Sequence, residues 1–200
     1  RTSERILVTA TQLFNERGER NVTASDIALE LDMSPGNLYY HFKGKDAILG
    51  ALFTGYYRAL AGILATPILE SSFLEDENAL ERSWLFLTVL LETMYDARFL
   101  YSNQNDLMQR YPDIDRGMRR LMSLKKEAAR QLATTLLVSV DISSQPQRLQ
   151  HVSDSMALTL MHWLNFEQLS ADPVSPQQTV HRAVLQVLSH CAPYLGEIGR

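Results

Sequence analysis

The stretch Thr23-Ala24-Ser25-Asp26-Ile27-Ala28-Leu29-Glu30-Leu31-Asp32-Met33-Ser34-Pro35-Gly36-Asn37-Leu38-Tyr39-Tyr40-His41-Phe42-Lys43-Gly44-Lys45 contains two helix starts in close succession. The Thr23 hydroxyl can cap a helix, and Asp26, three residues on, stands in capping-box position. Ala24, Ile27, Ala28 and Leu31 then share one face. Ser34-Pro35 is an N-cap followed by proline at the first helical position, where the missing N–H costs no hydrogen bond. Leu38 and Phe42 are the inward side chains of that second helix, and Gly44 closes it. Only Asp32-Met33 separates the two short helices.

On the N-terminal side, Ile6, Ala10, Leu13 and Phe14 form the stripe of a first helix that the Gly18 region ends. On the other side a longer helix starts at Lys45, with Ile48, Leu49, Leu52, Phe53, Tyr56, Leu60 and Ile63 on its stripe. That stripe outruns what two short helices can cover, so the helix is expected to continue into a second domain and to end at Pro67 and Glu70-Ser71-Ser72. Further helices are expected from Asn78 to Asp96, from the break Tyr111-Pro112-Asp113 through Ile114, Met118, Leu121, Ala128, Leu132 and Leu136, and from Ser143-Ser144-Gln145-Pro146 to Leu169. Asp172-Pro173-Val174-Ser175-Pro176 precedes a last helix, capped by Ser175 and stopped by Pro193. No sustained alternation suggests a strand. The expected fold is all α, with an N-terminal three-helix domain over residues 1–48 and a larger helical domain over 49–200.

Of the 200 residues, 46% are apolar and 21% charged, enough for a full core. A lone cysteine, Cys191, excludes an intrachain disulfide framework, and no apolar run is read as approaching the roughly 20 residues that span a bilayer. A soluble, cytoplasmic protein is expected, with no membrane partner. The net charge of −4 does not announce a nucleic-acid partner, and residues 1–50 carry six Arg and Lys against seven Asp and Glu. Placement matters more than the total. From Met33 to Lys45 there is no acidic residue, while His41, Lys43 and Lys45 lie together, and screening confines each charge to about 10 Å or less.

Three helices with that spacing have the layout of a helix-turn-helix. Gly36 lets the front of the third helix approach a groove wall, and the Asn37 amide can both donate to and accept from a base edge. Tyr39 and Tyr40 offer hydroxyls for phosphates and ring surface for a thymine methyl; His41 and Lys43 flank them. Lys45 opens the next helix, so its ammonium and the free N–H groups there can share one phosphate, which sets register without reading sequence.

These residues, Thr23-Ala24-Ser25-Asp26-Ile27-Ala28 and Ser34-Pro35-Gly36-Asn37-Leu38-Tyr39-Tyr40-His41-Phe42-Lys43-Gly44-Lys45-Asp46-Ala47-Ile48-Leu49, resemble the DNA-binding domain of the TetR (tetracycline repressor) family of bacterial regulators. The resemblance covers about the first 60 residues. It implies phosphate contacts for Thr23, Tyr40, His41 and Lys45, base contacts for Gly36, Asn37 and Tyr40, and a packing and backbone-contact role for Tyr39. With Ser34 and Lys43 these form the candidate DNA-contact set. It also implies double-stranded DNA as partner, nucleoid association when bound, and a small-molecule effector.

The last two helices carry apolar residues on more than one side, Val152, Met156, Leu160 and Trp163 in one and Val180, Val184, Val187 and Cys191 in the other. A helix needing burial on two sides needs a partner, and the resemblance supplies one, a homodimer joined as a four-helix bundle. The middle helices are rich in aromatic and Met side chains, among which Trp84, Met94, Phe99, Met118 and Met122 are the candidate lining of an apolar effector pocket. Two functions follow. One is a repressor released from a pseudo-palindromic operator by a small apolar or amphipathic molecule. The other is a ligand-independent DNA-binding protein whose C-terminal domain only dimerises.

Enzymatic constellations fail on geometry. His190 and Cys191 are neighbours on a helix and point about 100° apart. His151 and His162, on one helix, are separated by roughly 16 Å, too far for one metal ion. A phosphate loop ending in Gly44-Lys45 would need glycine where Tyr39 stands. No enzyme activity, metal or cofactor is expected.

Overall fold

The computed structural model describes residues 2–66, 79–137, 145–169 and 174–195, and among these there is no strand. The helices are α1 (Thr2–Arg17), α2 (Ala24–Glu30), α3 (Pro35–His41), α4 (Lys45–Ala65), α5 (Ala79–Asp96), α6 (Phe99–Ser102), α7 (Gln104–Arg110), α8 (Pro112–Leu136), α9 (Pro146–Leu169), α10 (Pro176–Ser189) and α11 (Ala192–Leu195). The expected boundaries at Pro67, Glu70-Ser71-Ser72, Asn78, Ser143-Ser144 and Asp172-Pro173 lie outside the described residues.

The chain divides into two compact units, Arg1–Ala59 with Asp96–Met118, and Leu60–Tyr95 with Arg119–Arg200. In the first, α1 buries Ile6, Ala10, Leu13 and Phe14 against α2 and α3. Gly18, at φ 80°, ends α1 in a left-handed conformation that favours glycine, and the chain turns through a 3-10 segment, Glu19–Asn21. Thr23 caps α2 in a full capping box with Asp26. The turn after α2 satisfies its last carbonyls with two bonds, Asp32 N–H to Leu29 O at 3.1 Å and Met33 N–H to Ala28 O at 3.0 Å. Asp32 takes the left-handed conformation, φ 51°, that this cap requires. Ser34 then caps α3, its Oγ accepting from the Asn37 N–H at 3.2 Å. Leu38 is buried, while Phe42, expected inward, is half-buried at the extended C-cap. Gly44, at φ 113°, makes the turn into α4.

Residues 97–111, where no helix was read, form α6 and α7 and belong to this first unit. Asn15 fastens them to α1. Its Oδ1 accepts from Phe99 N–H at 3.0 Å and its Nδ2 donates to Asp96 O at 2.8 Å, while the Phe99 ring lies 5.3 Å from that of Phe14. Pro112 opens α8 from its first position.

Contrary to the sequence reading, α4 is long and apolar enough, by length and composition, to cross a membrane. Uncharged Gly, Ala and Thr separate its larger apolar residues, interrupting the apolar run without adding charge. Ile48, Leu49, Phe53, Tyr56 and Leu60 recur along one face and are buried in the protein, the pattern of a core-facing helix.

In the second unit, α9 and α10 pack on each other. Ser175 and Gln178 complete a capping box with Pro176 at the first position of α10. Helix α10 stops at Ser189, ahead of the expected Pro193, which sits instead in the first turn of α11, where proline is tolerated.

Candidate nucleic-acid interface

The short α3 displays a face that its own unit leaves open. Tyr40 is 79% exposed and Tyr39 48%. Gly36 and Asn37 are exposed, and a Cβ added at Gly36 would meet no atom within 4 Å. The fold itself therefore sets no demand for glycine there. Tyr39 lies beside Gly44, 3.9 Å from where a Cβ would stand. The His41 ring meets Tyr40 edge-on at 5.2 Å, and its Nδ1 shares a hydrogen bond with Ser3 Oγ at 3.3 Å. Lys43, just beyond the C-cap of α3, is exposed.

The cap residues differ in what they have left to give. The Ser34 oxygen accepts from Asn37 N–H, which leaves its own proton available. Thr23 is fully engaged. Its hydroxyl donates to Asp26 Oδ2 at 2.7 Å and accepts from Asp26 N–H at 3.2 Å, and its N–H donates to the same carboxylate at 2.7 Å. Those two bonds from Thr23 hold the Asp26 carboxyl below its ordinary value.

Lys45 is not the free cation its position suggested. Its Nζ donates to the Glu19 carbonyl oxygen at 2.9 Å and lies 2.9 Å from Glu19 Oε1. Glu19 is buried, 3% exposed, and its other oxygen accepts from Arg110 Nη2 at the end of α7. Arg110 Nε in turn donates to Asp106 Oδ2 at 2.9 Å, as does Arg20 Nε from the residue after Glu19, also at 2.9 Å. Arg20, then Arg110, hold the Asp106 carboxyl below the usual range. Tyr111 donates its hydroxyl to Asp46 Oδ1 at 2.7 Å, and burial first, then that carboxylate, push the phenol up to about 12, so it stays a donor. Glu19, Arg110, Asp106 and Tyr111 were missed in the sequence. The faint signal was an acidic residue directly after a helix-ending glycine.

The remaining candidates fall elsewhere. Val152, Met156, Leu160, Trp163, Val180, Val184, Val187 and Cys191, expected at a dimer face, are all buried within the single chain. The periodicity identified burial correctly, but the covering surface is the chain's own, chiefly α9 on α10. The apolar residues these helices leave exposed are Leu158, Phe166, Leu169 and Leu185. A groove of about 370 Å³ beside them is lined by Leu158, Thr159, His162, Trp163, Phe166 and His190; Thr159 Oγ1 and His190 Nε2 are 2.9 Å apart. Burial pushes the Cys191 thiol up to about 11, so it is protonated at neutral pH, and its Sγ lies 3.8 Å from Met156 Sδ.

Of the expected pocket residues, Phe99 and Met118 belong to the first unit and Trp84, Met94 and Met122 to the second. Met94, Phe99 and Met118 are buried, Met122 is exposed, and half-buried Trp84 lies 6.0 Å from the His181 ring. None of the five lines the groove just described or a second of about 420 Å³ along α1, bounded by Leu7, Val8, Thr11, Gln12, Asn15 and Leu52 among others. Among the described residues no group of three or more His, Cys, Asp or Glu could hold a metal ion.

Two family models match. One, described as bacterial regulatory proteins of the tetR family, covers residues 6–52, and another, TetR, bacterial transcriptional repressor, covers 64–200. An uncharacterized HTH-type transcriptional regulator from Xanthobacter autotrophicus is 34% identical over 84 residues, 42% of this chain and 41% of that protein. The HTH-type transcriptional repressor KstR2 of Mycobacterium tuberculosis is 27% identical over 123 residues, 55% of this chain and 62% of that one. The matches thus span less than two thirds of these curated relatives. A TetR-family regulator from Marinobacter aquaeolei superposes with a TM-score of 0.79 at 25% identity, over 97% of this chain and 91% of that chain. The M. tuberculosis KstR2 structure gives 0.64 at 19% identity over 94% of each chain, a likeness of fold. With one model spanning more than half its length and another its helix-turn-helix, this chain belongs to the TetR family of bacterial regulatory proteins.

Proposed function

We propose that the chain is a sequence-specific DNA-binding transcriptional regulator that reads a pseudo-palindromic operator as a homodimer. The observation that carries this reading is the open face of α3, where Gly36 has no internal reason to be glycine and Tyr40 is 79% exposed. A close-fitting partner supplies both reasons at once. Residues 1–48 then act as the DNA-reading part and 49–200 as the effector-binding and dimerising part. Gly36, Asn37 and Tyr40 meet base edges. Ser34, Tyr39, His41, Lys43 and Lys45 meet phosphates, with the N–H groups of the first turn of α4 beside them. Thr23 serves that set by capping α2.

The dimer forms through the exposed Leu158, Phe166, Leu169 and Leu185, the same patch on both copies. A small apolar or amphipathic effector that prefers the DNA-incompetent form releases the operator. A ligand-independent regulator is the second reading, favoured by the tight burial of Met94, Phe99 and Met118.

In vitro selection from random duplexes tests the main reading. Enrichment of an inverted repeat with half-sites roughly 34–36 Å apart, or a multiple of that, supports it; a pool with no enriched motif sinks it. Calorimetric titration of a thermal-shift hit, with and without operator, separates the two readings, because an effector and the operator must weaken each other by the same factor.

A further inference from the structure

The ion cluster around Glu19 ties three parts of the first unit together. Glu19 sits in the 3-10 turn, Lys45 is the first residue of α4, and Arg110 is the last of α7. One buried carboxylate takes both cations on its two oxygens, and the Glu19 carbonyl takes the lysine a second time. A lysine ammonium has three donors. One donates to the Glu19 carbonyl, and the ammonium also sits 2.9 Å from Oε1, a buried oxygen that receives no hydrogen bond, so the ion pair restricts where the other two can point. Arg110 on Oε2 stops the carboxylate from turning, and Asp106 pins Arg110 and Arg20 alike. Beside them Tyr111 donates its hydroxyl to the Asp46 carboxylate in the first turn of α4.

We infer that Glu19 is a positioning residue for DNA binding, which acts through Lys45 and brings that lysine under the hold of α7 through Arg110; this rests on the DNA-binding reading above. A lysine on a free four-carbon stem loses its rotamer freedom when it meets a phosphate, whereas one already held loses less. Burial gives the arrangement its grip, since a cation and carboxylate out of water separate only at a cost. Movement of α7 that draws Arg110 away frees the carboxylate to turn, and Lys45 loses its aim.

The test is fluorescence anisotropy on the selected operator across a salt series, for the parent, Glu19→Gln, Lys45→Ala and the double variant, with thermal melts alongside. Glutamine keeps the volume and one acceptor and removes the charge. Glu19→Gln is expected to weaken operator binding roughly tenfold. Its salt slope should fall by up to about 1, as for a lost phosphate contact. In the Lys45→Ala background the same change should alter affinity by less than about twofold. Should Glu19→Gln fail to fold, Arg110→Gln, on a partly exposed side chain, runs the same cycle with the same expectation. Parent-like or tighter binding by the glutamine variant, or an equal loss in both backgrounds, overturns the inference while leaving the DNA reading intact. A parent that binds no duplex overturns both.

Discussion

The ring of Phe53 on α4 lies against the bare backbone of Gly117 on α8. A Cβ added at residue 117 would come within 2.5 Å of Phe53 Cε1 and Cζ, closer than side chains approach one another. Phe53 is buried and its ring is flanked by those of Tyr56 and Tyr57, each 6.4 Å away, so it has little room to yield.

Gly117→Ala is therefore expected to lower stability. Overpacking of this kind costs about 1–3 kcal/mol, partly offset by up to about 1 kcal/mol from the better helix propensity of alanine. The melting temperature of Gly117→Ala, and of the same change combined with Phe53→Leu, measures it. Recovery in the double variant is the expected result; a Gly117→Ala protein as stable as the parent would show that the contact relaxes freely.

At Gly36 the expectation is reversed. A Cβ there meets nothing in the chain, so Gly36→Ser should leave the melting temperature unchanged or slightly raised, while operator selection with the variant returns an altered or degraded site. Asn37→Ala should likewise change base preference at one or two positions by about 1–3 kcal/mol each. Lys45→Ala should weaken all duplexes alike and lower the salt slope by roughly 1. An unaltered consensus from Gly36→Ser would mean that α3 does not face the groove through that residue.

The capping box makes a prediction in pH. Hydrogen bonds from Thr23 hold the Asp26 carboxyl below its ordinary value in the folded chain. The stability it contributes is therefore present above the unfolded-state value and lost as pH falls through the folded one. Asp26→Asn should melt below the parent at neutral pH, and the gap should close in acid below the ordinary aspartate range. A gap that persists unchanged into strong acid would assign the loss to the altered hydrogen-bond shape rather than to charge.

What could be read from the chain and what could not divide by distance. The caps at Thr23, Ser34 and Ser175 are legible because donor and acceptor stand three residues apart. Glu19 is not, because the lysine and arginine that keep it buried follow 26 and 91 residues later. Periodicity fails in a different way at Val184 and Trp163. It reports that a face is covered but not by which surface, so residues buried under the neighbouring helix of the same chain read as a face awaiting a partner. The exposed Leu158 and Phe166 alternate with buried Met156, Leu160 and Trp163 on the same helix, and only the packing tells the two sets apart.

That distinction decides how assembly should be tested. A charge at Val184, which has no exposed surface, would have to be buried unpaired inside one subunit. Val184→Glu is therefore expected to unfold the chain and says nothing about dimerisation. Phe166 is 60% exposed and Leu158 61%, so Phe166→Glu and Leu158→Glu should keep the parent's helical signal. In a two-fold interface each substitution occurs twice, and replacing a buried apolar anchor by a charge costs about 2 kcal/mol or more per copy. Two copies together should shift the monomer–dimer equilibrium by a factor of roughly 1,000. Sedimentation velocity at micromolar concentration should then show a dimeric parent, folded monomers for both variants, and for those monomers a loss of operator binding, because two half-sites need two linked reading heads. A dimer that survives both substitutions would place the interface on another face, and a monomeric parent would remove the homodimer from the proposed function altogether.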